Sequence, residues 1–327
     1  MRRWRYMLGL TLLSAMAAPP AAAAPREVDD SYTIAQRFDQ YKDRYPGIAW
    51  PAVTLLRGQE IRFDRAYNQT PSRTLAIDIF KPPRRRNSGF AILLVHGGAW
   101  RSGDKHHFYA LASRLSQRGH TVFLPEFRLA PEAPYPAGMI DIADALAWVR
   151  TQAASFAIQP NRIIVGGASS GGQMAALLAY AGPQGLFGDA GRTSIAALID
   201  LDGVLDFTDP RALQFENAAG PDSPAARWLG GSYEQQPARW REASAASHVG
   251  PASPPTLILG SGIARFTVGR EKVLTELGRH RILSEAHDFA AAPHDFWLFD
   301  PWLPQVAARI DAFIARLPRG QKEKASR

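Results

Sequence analysis

Arg162-Ile-Ile-Val-Gly-Gly-Ala-Ser-Ser-Gly-Gly-Gln-Met-Ala-Ala-Leu-Leu-Ala179 is the stretch whose reading decides the fold of this 327-residue chain. Residues 162–165 read as a short buried strand and residues 172–181 as a helix. Between them stands a G-x-S-x-G sequence, Gly167-Ala168-Ser169-Ser170-Gly171. A strand that turns this tightly into a helix holds its central serine in strained backbone angles, and only small neighbours fit around it. The serine hydroxyl then lies at a helix N-terminus, where the dipole favours developing negative charge. A phosphate-binding loop would need Lys-Ser/Thr after Gly171, where Gly172-Gln173 stands instead. The glycine spacing also fails the dinucleotide fingerprint. The stretch therefore reads as a nucleophile elbow with Ser169 at its tip.

Working outward, strand and helix patterns alternate along the chain. Strands are expected at residues 75–80, 90–95, 121–124, 195–201, 256–259 and 281–286. Helices are expected around 108–115, 139–151, 270–277 and 305–317. Such alternation predicts an α/β fold, a mostly parallel central sheet with helices on both faces. Residues 208–255 break the rhythm with Pro, Ser, Ala and Trp, and read as a small cap insertion over the strand ends. Residues 25–70 are mixed in pattern but carry Phe38, Tyr41, Tyr45 and Trp50, so they are expected to pack on the body. No repeat is visible at solenoid or propeller periods.

Two further segments carry chemistry. His96-Gly97-Gly98-Ala99-Trp100 follows the strand at 90–95. Acyl transfer needs hydrogen-bond donors aimed at a tetrahedral oxyanion. Gly97 and Gly98 are read as backbone donors from this loop, and Ser170 as the donor after the nucleophile. His96 reads as a tie within the loop. His294, in Ala292-Pro293-His294-Asp295-Phe296-Trp297, follows the last strand and precedes the last helix, where chain order places a general base for Ser169. His287 competes but lies at the strand end. Trp100 and Trp297 read as substrate-binding aromatics, with Phe296 beside them, and core packing is the alternative for all three. Arg265 faces an acidic sugar or pairs with a cap carboxylate. His106, His107 and Asp104 lack metalloprotease spacing and read as a solvated loop, so neither a metal nor a cofactor is expected.

Together, H-G-G-A-W, Phe127-Arg128-Leu129-Ala130-Pro131-Glu132, G-A-S-S-G-G and P-H-D-F-W resemble the α/β-hydrolase esterase/lipase superfamily over residues 90–317. More narrowly, Asp200-Leu-Asp-Gly203, Trp228-Leu-Gly-Gly-Ser-Tyr233, Arg265-Phe266, Gly269-Arg270 and Pro293-His-Asp-Phe-Trp-Leu-Phe299 resemble bacterial exported acetyl-xylan and pectin acetylesterases. The resemblance implies hydrolysis of small acyl esters, mainly acetate, on plant polysaccharide. A general short-chain or lipid esterase, a serine peptidase of the same fold and an inactive binding homologue are the rival readings. A peptidase would normally bring a large extra domain.

One part of the superfamily pattern is missing. Its acid usually follows the strand at 256–259, yet Gly260-Ser-Gly-Ile-Ala-Arg-Phe266 holds no carboxylate. Asp202, at the end of the preceding strand, is the best-placed substitute. Asp200 shares its face by two-residue alternation but lies deeper, and Asp206 sits farther along the loop. Glu271 reaching back from the next helix, or a Ser–His dyad without an acid, are the other solutions. The acid's task is to fix the imidazole tautomer and stabilise the imidazolium.

Composition sets the remaining bounds. The chain is 46% hydrophobic and 21% charged, which suits a globular enzyme and excludes disorder of the whole. Arg2, Arg3 and Arg5, an apolar run at residues 7–18 and alanines 21–24 read as a signal peptide over residues 1–23, followed by one domain over 24–327. Export to the periplasm or beyond follows, with no stable membrane insertion, because the apolar run is too short to span a bilayer comfortably. With no cysteine in the chain, disulfides, thiolate chemistry and Cys-ligated zinc are excluded. The formal charge of +8 falls to +5 without the three leader arginines, and much of the rest lies at residues 81–86 and in the tail. Such runs are solvated loops or tails, so a nucleic-acid partner is not expected. The expected partners are an acetylated polysaccharide or a small ester, and nothing in the sequence fixes an oligomeric state.

Overall fold

Alternate residues of one central strand belong to two separate cores. In β3 (Ala91–Val95), Leu93 and Val95 join one buried cluster while Ile92 and Leu94 join another. β5 (Ile163–Ala168) divides the same way, with Ile163 and Val165 on the first face and Ile164 on the second. A strand buried on both sides reads as a continuous apolar run because neither face meets water. Fully burying each such Leu or Ile contributes about 1.5–3 kcal/mol.

The computed structural model describes residues 29–317. The expected signal peptide at 1–23 lies outside the described residues. Eight strands form one sheet in the order β1-β2-β4-β3-β5-β6-β7-β8. Beside β3 and β5 these are β1 (Glu60–Gln69), β2 (Thr74–Lys81), β4 (Thr121–Pro125), β6 (Ala197–Leu201), β7 (Thr256–Gly260) and β8 (Ser284–Asp288). β1 and β2 pair antiparallel, as do β2 and β4, and every other pairing is parallel. The parallel pairings require crossovers, and helices supply them. After α1 (Ile34–Tyr41) come α2 (Tyr109–Gln117), α3 (Ala137–Thr151), α4 (Ser170–Ala181) and the one-turn α5 (Gly188–Gly191). α2 and the terminal helix cover one face, with Leu111, Leu115, Ile310 and Phe313 buried there. α3 and α4 cover the other through Met139, Ile142, Leu146 and Leu177.

The segment between β6 and β7 holds α6 (Pro210–Ala219), α7 (Pro224–Leu229) and α8 (Pro237–Ala243), three short helices each opened by proline. Trp228 and Trp240 anchor it in the core. α9 (Arg270–Arg279) and α10 (Trp302–Arg316) complete the chain.

The N-terminal region holds structure that the sequence did not reveal. β1 is an edge strand with largely exposed side chains. Ile61 and Phe63 alternate with Glu60, Arg62 and Asp64, but the alternation stops where the register with β2 shifts at Arg62–Arg65, so the run is too short to mark a strand. α1 is closed by a capping box between Thr33 and Gln36. Among the described residues, no helix is long and apolar enough to cross a membrane.

Candidate active site

Ser169 stands at the junction of β5 and α4 with φ +54° and ψ −124°. The strain is tolerated because backbone packs against backbone on both sides of the turn. A Cβ on Gly167 would lie 2.7 Å from the Val95 carbonyl oxygen, and one on Gly171 would press into the His96 carbonyl. The serine hydroxyl is 2.9 Å from His294 Nε2. The other ring nitrogen, Nδ1, is 2.9 Å from Asp202 Oδ2. His294 is 16% exposed and Asp202 is sealed from solvent. Phe266 stacks flat on the imidazole, 3.5 Å between centroids and 10° between planes, and Trp297 meets its edge at 5.1 Å. These two rings fix the plane of the imidazole between its polar partners.

The absent carboxylate of the β7 loop has a structural counterpart. Asp202 ends β6 with φ +54° and turns towards His294. The loop after β7 reaches it with Ser261, whose backbone N–H donates to Oδ1 at 2.8 Å and whose hydroxyl donates to Oδ2 at 2.6 Å. The loop that usually holds the acid thus holds two donors for an acid on the neighbouring strand. Ser261 carries no signal in the sequence, because a serine between two glycines looks like any turn.

The other carboxylates are engaged elsewhere. Asp206 accepts from Lys272 at 2.8 Å and from the Thr208 hydroxyl at 2.7 Å. Burial alone would raise its pKa, but those two partners outweigh burial and lower it. Glu271 is exposed in the first turn of α9. Asp200 is buried in β6, where Oδ1 accepts from Gly203 N–H at 3.1 Å and Oδ2 has no partner. Burial first, and the charge of Asp202 second, hold its pKa well above the ordinary carboxylate value. His287 lies in β8 against Phe289 and not beside the serine.

Asp200 gives a pH prediction. An acid whose folded pKa is raised favours folding while protonated in both states. As pH climbs past the unfolded value near 3.9 the unfolded chain gains by ionising, and that stability is lost up to the raised folded pKa. Asp200→Asn removes this loss. The variant is expected to melt close to the wild type at pH 4 and above it at pH 8. Parallel melting curves across that range would show Asp200 titrating normally.

On the oxyanion side, Gly98, Ala99 and Ser170 line the cavity above Ser169. Gly97, expected as a donor, lies behind them, where a Cβ would meet Ser169 Cβ at 3.1 Å, and its carbonyl oxygen is 2.9 Å from His96 Nδ1. Ala99 takes its place on the cavity lining because the loop turns one residue further on. His96 also stacks on Phe127 at 4.4 Å. Ala99 and Trp100 both have positive φ, so this loop turns sharply at the site. Trp100 borders the cavity, but most of its ring is buried face to face with Trp228 at 5.1 Å. Its N–H donates to Gln173 at 3.0 Å, and Gln173 donates to the Ala243 carbonyl, which ties loop, elbow helix and cap together. Trp297 corrects the sequence reading. It is 1% exposed and packs behind His294, so substrate does not reach it. Phe296 is buried as well. Arg265 pairs with a cap carboxylate, Glu216, at 3.1 Å.

The cavity holds about 490 Å³, with Ser169, Asp202 and His294 among its lining residues. One wall went unseen in the sequence. Tyr32, Arg37, Gln40 and Tyr41, from the segment of unclear pattern, line it together with Glu216 and Pro224 of the cap.

A serine hydroxyl, an imidazole and a carboxylate joined in series at the tip of an elbow form an arrangement that can activate the serine as a nucleophile for acyl transfer. The chain belongs to the BD-FAE family, whose model matches residues 77–263, more than half of it. Carboxylesterase NlhH of Mycobacterium tuberculosis is 37% identical over 107 residues, covering 32% of this chain and 33% of that protein. Esterase LipC of the same species is 27% identical over 218 residues, 64% of this chain and 53% of its own. The chain thus spans about a third to a half of these two relatives. Among solved structures, a truncated carbohydrate esterase from gut microbiota superposes with a TM-score of 0.66 at 20% identity, covering 82% of this chain and 98% of that one. At that identity the likeness establishes the α/β-hydrolase fold.

Proposed function

We propose that the protein is a carboxylic ester hydrolase that removes small acyl groups, acetyl above all, from plant cell-wall polysaccharide such as xylan or pectin. The observation that carries the chemistry is the unbroken series Ser169–His294–Asp202, with 2.9 Å at each link. In this reading His294 Nε2 takes the Ser169 proton as Oγ attacks the ester carbonyl. The N–H groups of Gly98, Ala99 and Ser170 are the donors for the oxyanion at the mouth of the elbow. Collapse expels the sugar alcohol, which receives the proton from His294, and an acetyl-enzyme remains on Ser169. Water then attacks that ester with His294 again as base. As the bond from the acyl carbon to Ser169 Oγ breaks, His294 returns the proton to Oγ and acetate leaves. Asp202 holds Nδ1–H throughout and stabilises the imidazolium.

The cavity's polar wall supports a sugar-bearing substrate over a lipid. Arg37, Gln40, Arg101 and Glu216 line it, while the apolar share of the lining, from Trp100, Val204, Pro224 and Phe266, is broken up by these polar groups and not continuous as a long acyl chain requires. Residues 1–23 support export, which would bring such an enzyme to its polymer. The test is acetate release by the mature protein from acetylated xylan and from acetylated pectin. Release from at least one polymer is expected, together with a preference for p-nitrophenyl acetate over the octanoate of at least tenfold. Cleavage of p-nitrophenyl acetate with no release from either polymer would leave an esterase and remove the polysaccharide.

A further inference from the structure

Residues 29–41 are fastened to both loops that carry the chemistry. On one side, Ser102, just past the oxyanion loop, donates its hydroxyl to the Asp29 carbonyl at 2.5 Å and accepts from Tyr32 N–H at 3.1 Å. On the other side, Asp295, the neighbour of His294, accepts from the phenols of Tyr32 at 2.5 Å and Tyr41 at 2.6 Å. Burial, reinforced by the Asp295 charge, raises the pKa of both phenols, so they remain donors. Between these anchors α1 sets Arg37 against the cavity.

The three arginines of the cavity differ in one respect. Arg101 reaches Asp29 at 3.4 Å and Arg265 reaches Glu216 at 3.1 Å. Arg37 has no carboxylate partner among the described residues. Neutral groups hold it instead. Nη1 donates to Gln40 at 2.7 Å, Nη2 donates to the Ser31 carbonyl at 3.1 Å, and the guanidinium lies 5.0 Å from the Tyr32 ring centre. Its Nε is buried without a partner. A guanidinium has five N–H donors in a rigid fork, and two are used here. Asp295, which also lines the cavity, is already occupied by two phenols. What remains is an oriented cation with spare donors and no carboxylate in direct contact among the described residues, on the wall of the chamber that holds the nucleophile and that Asp295 also lines.

We propose that Arg37 binds a carboxylate carried by the substrate, so that the preferred ester lies on or beside an anionic group. The proposal rests on the esterase reading above and narrows its substrate. The carboxylate has two possible sources: a uronic acid on the alcohol side, or the free end of a dicarboxylic half-ester on the acyl side. A guanidinium fork facing a carboxylate forms short, charge-assisted bonds that an uncharged sugar hydroxyl does not match.

The experiment measures kcat/KM on acetylated galacturonate oligomers, acetylated xylo-oligosaccharides and a succinylated neutral sugar, for the wild type, Arg37→Gln and Arg37→Lys. The ratio of anionic to neutral substrate is expected to fall about tenfold in R37Q, with R37K in between. The galacturonate or the succinyl arm, whichever carries the effect, identifies the source. An unchanged ratio in R37Q overturns the proposal. If the wild type cleaves none of these esters but does cleave p-nitrophenyl acetate, the polysaccharide reading fails and Arg37 is tested by inhibition. Galacturonate and succinate are then added to the p-nitrophenyl acetate assay, with galactose as the neutral control. Inhibition by either anion and not by galactose, weakened about tenfold in R37Q, upholds the anion site. Equal inhibition by all three, or none, overturns it.

Discussion

Ser169→Ala is expected to lower kcat on p-nitrophenyl acetate by about 10⁵-fold or more, the size of effect seen when a serine nucleophile is removed. The position explains why no neighbour substitutes. The hydroxyl of Ser169 is the atom brought within 2.9 Å of His294 Nε2 at the mouth of the cavity. Ser170, one residue on, is buried at the start of α4. Alanine keeps the Cβ, so the variant retains whatever strain the wild-type φ of +54° imposes. The fold should therefore stay intact, with a melting temperature within a few degrees of the wild type. His294→Ala is expected to cost a similar factor, and the double variant no more than either single one, because the two groups act as a unit. Steady-state rates on the three purified variants decide it. Activity of S169A within a hundredfold of the wild type would remove the serine from the nucleophile's role.

The sequence was most legible where backbone geometry restricts residue choice. The elbow needs small residues on both sides of a strained serine, and those glycines are visible without a structure. The sheet was legible because strands buried on both faces are written as unbroken apolar runs, as in β3. Long-range partnerships were not legible. Ser261 lies 59 residues from Asp202, and Tyr32 lies 263 from Asp295. Neither pairing leaves a local trace, since serine in a turn and tyrosine in a mixed segment fit many environments. β1 escaped for a different reason. An edge strand exposed along most of its length has no burial period to detect. Trp297 is ambiguous in the sequence because an aromatic beside such a loop has the same signature whether it faces substrate or core. Here it supports the edge of the imidazole from behind.

Asp202→Asn is expected to lower kcat by about 10⁴-fold while leaving the site's shape in place. Asparagine fills nearly the same volume, but its amide presents a donor to His294 Nδ1 where the carboxylate is an acceptor. The imidazole then favours the tautomer protonated at Nε2, which cannot take the proton of Ser169. Ser261 makes this more than a single-residue question. Its two hydrogen bonds orient Asp202, yet one of them comes from the backbone and survives substitution. Ser261→Ala should therefore cost about tenfold or less, the worth of one hydroxyl donor. The rival carboxylates provide the internal comparison. Asp206 is committed to Lys272 and Thr208, and Glu271 is exposed on α9, so Asp206→Asn and Glu271→Gln should each stay within a few fold of the wild type. Rates for the four variants, taken at a pH on the wild-type plateau, rank the candidates directly. If Glu271→Gln fell as far as Asp202→Asn, α9 would have to move towards His294 during turnover. If none of the four fell by more than tenfold, the enzyme would be working as a Ser169–His294 dyad.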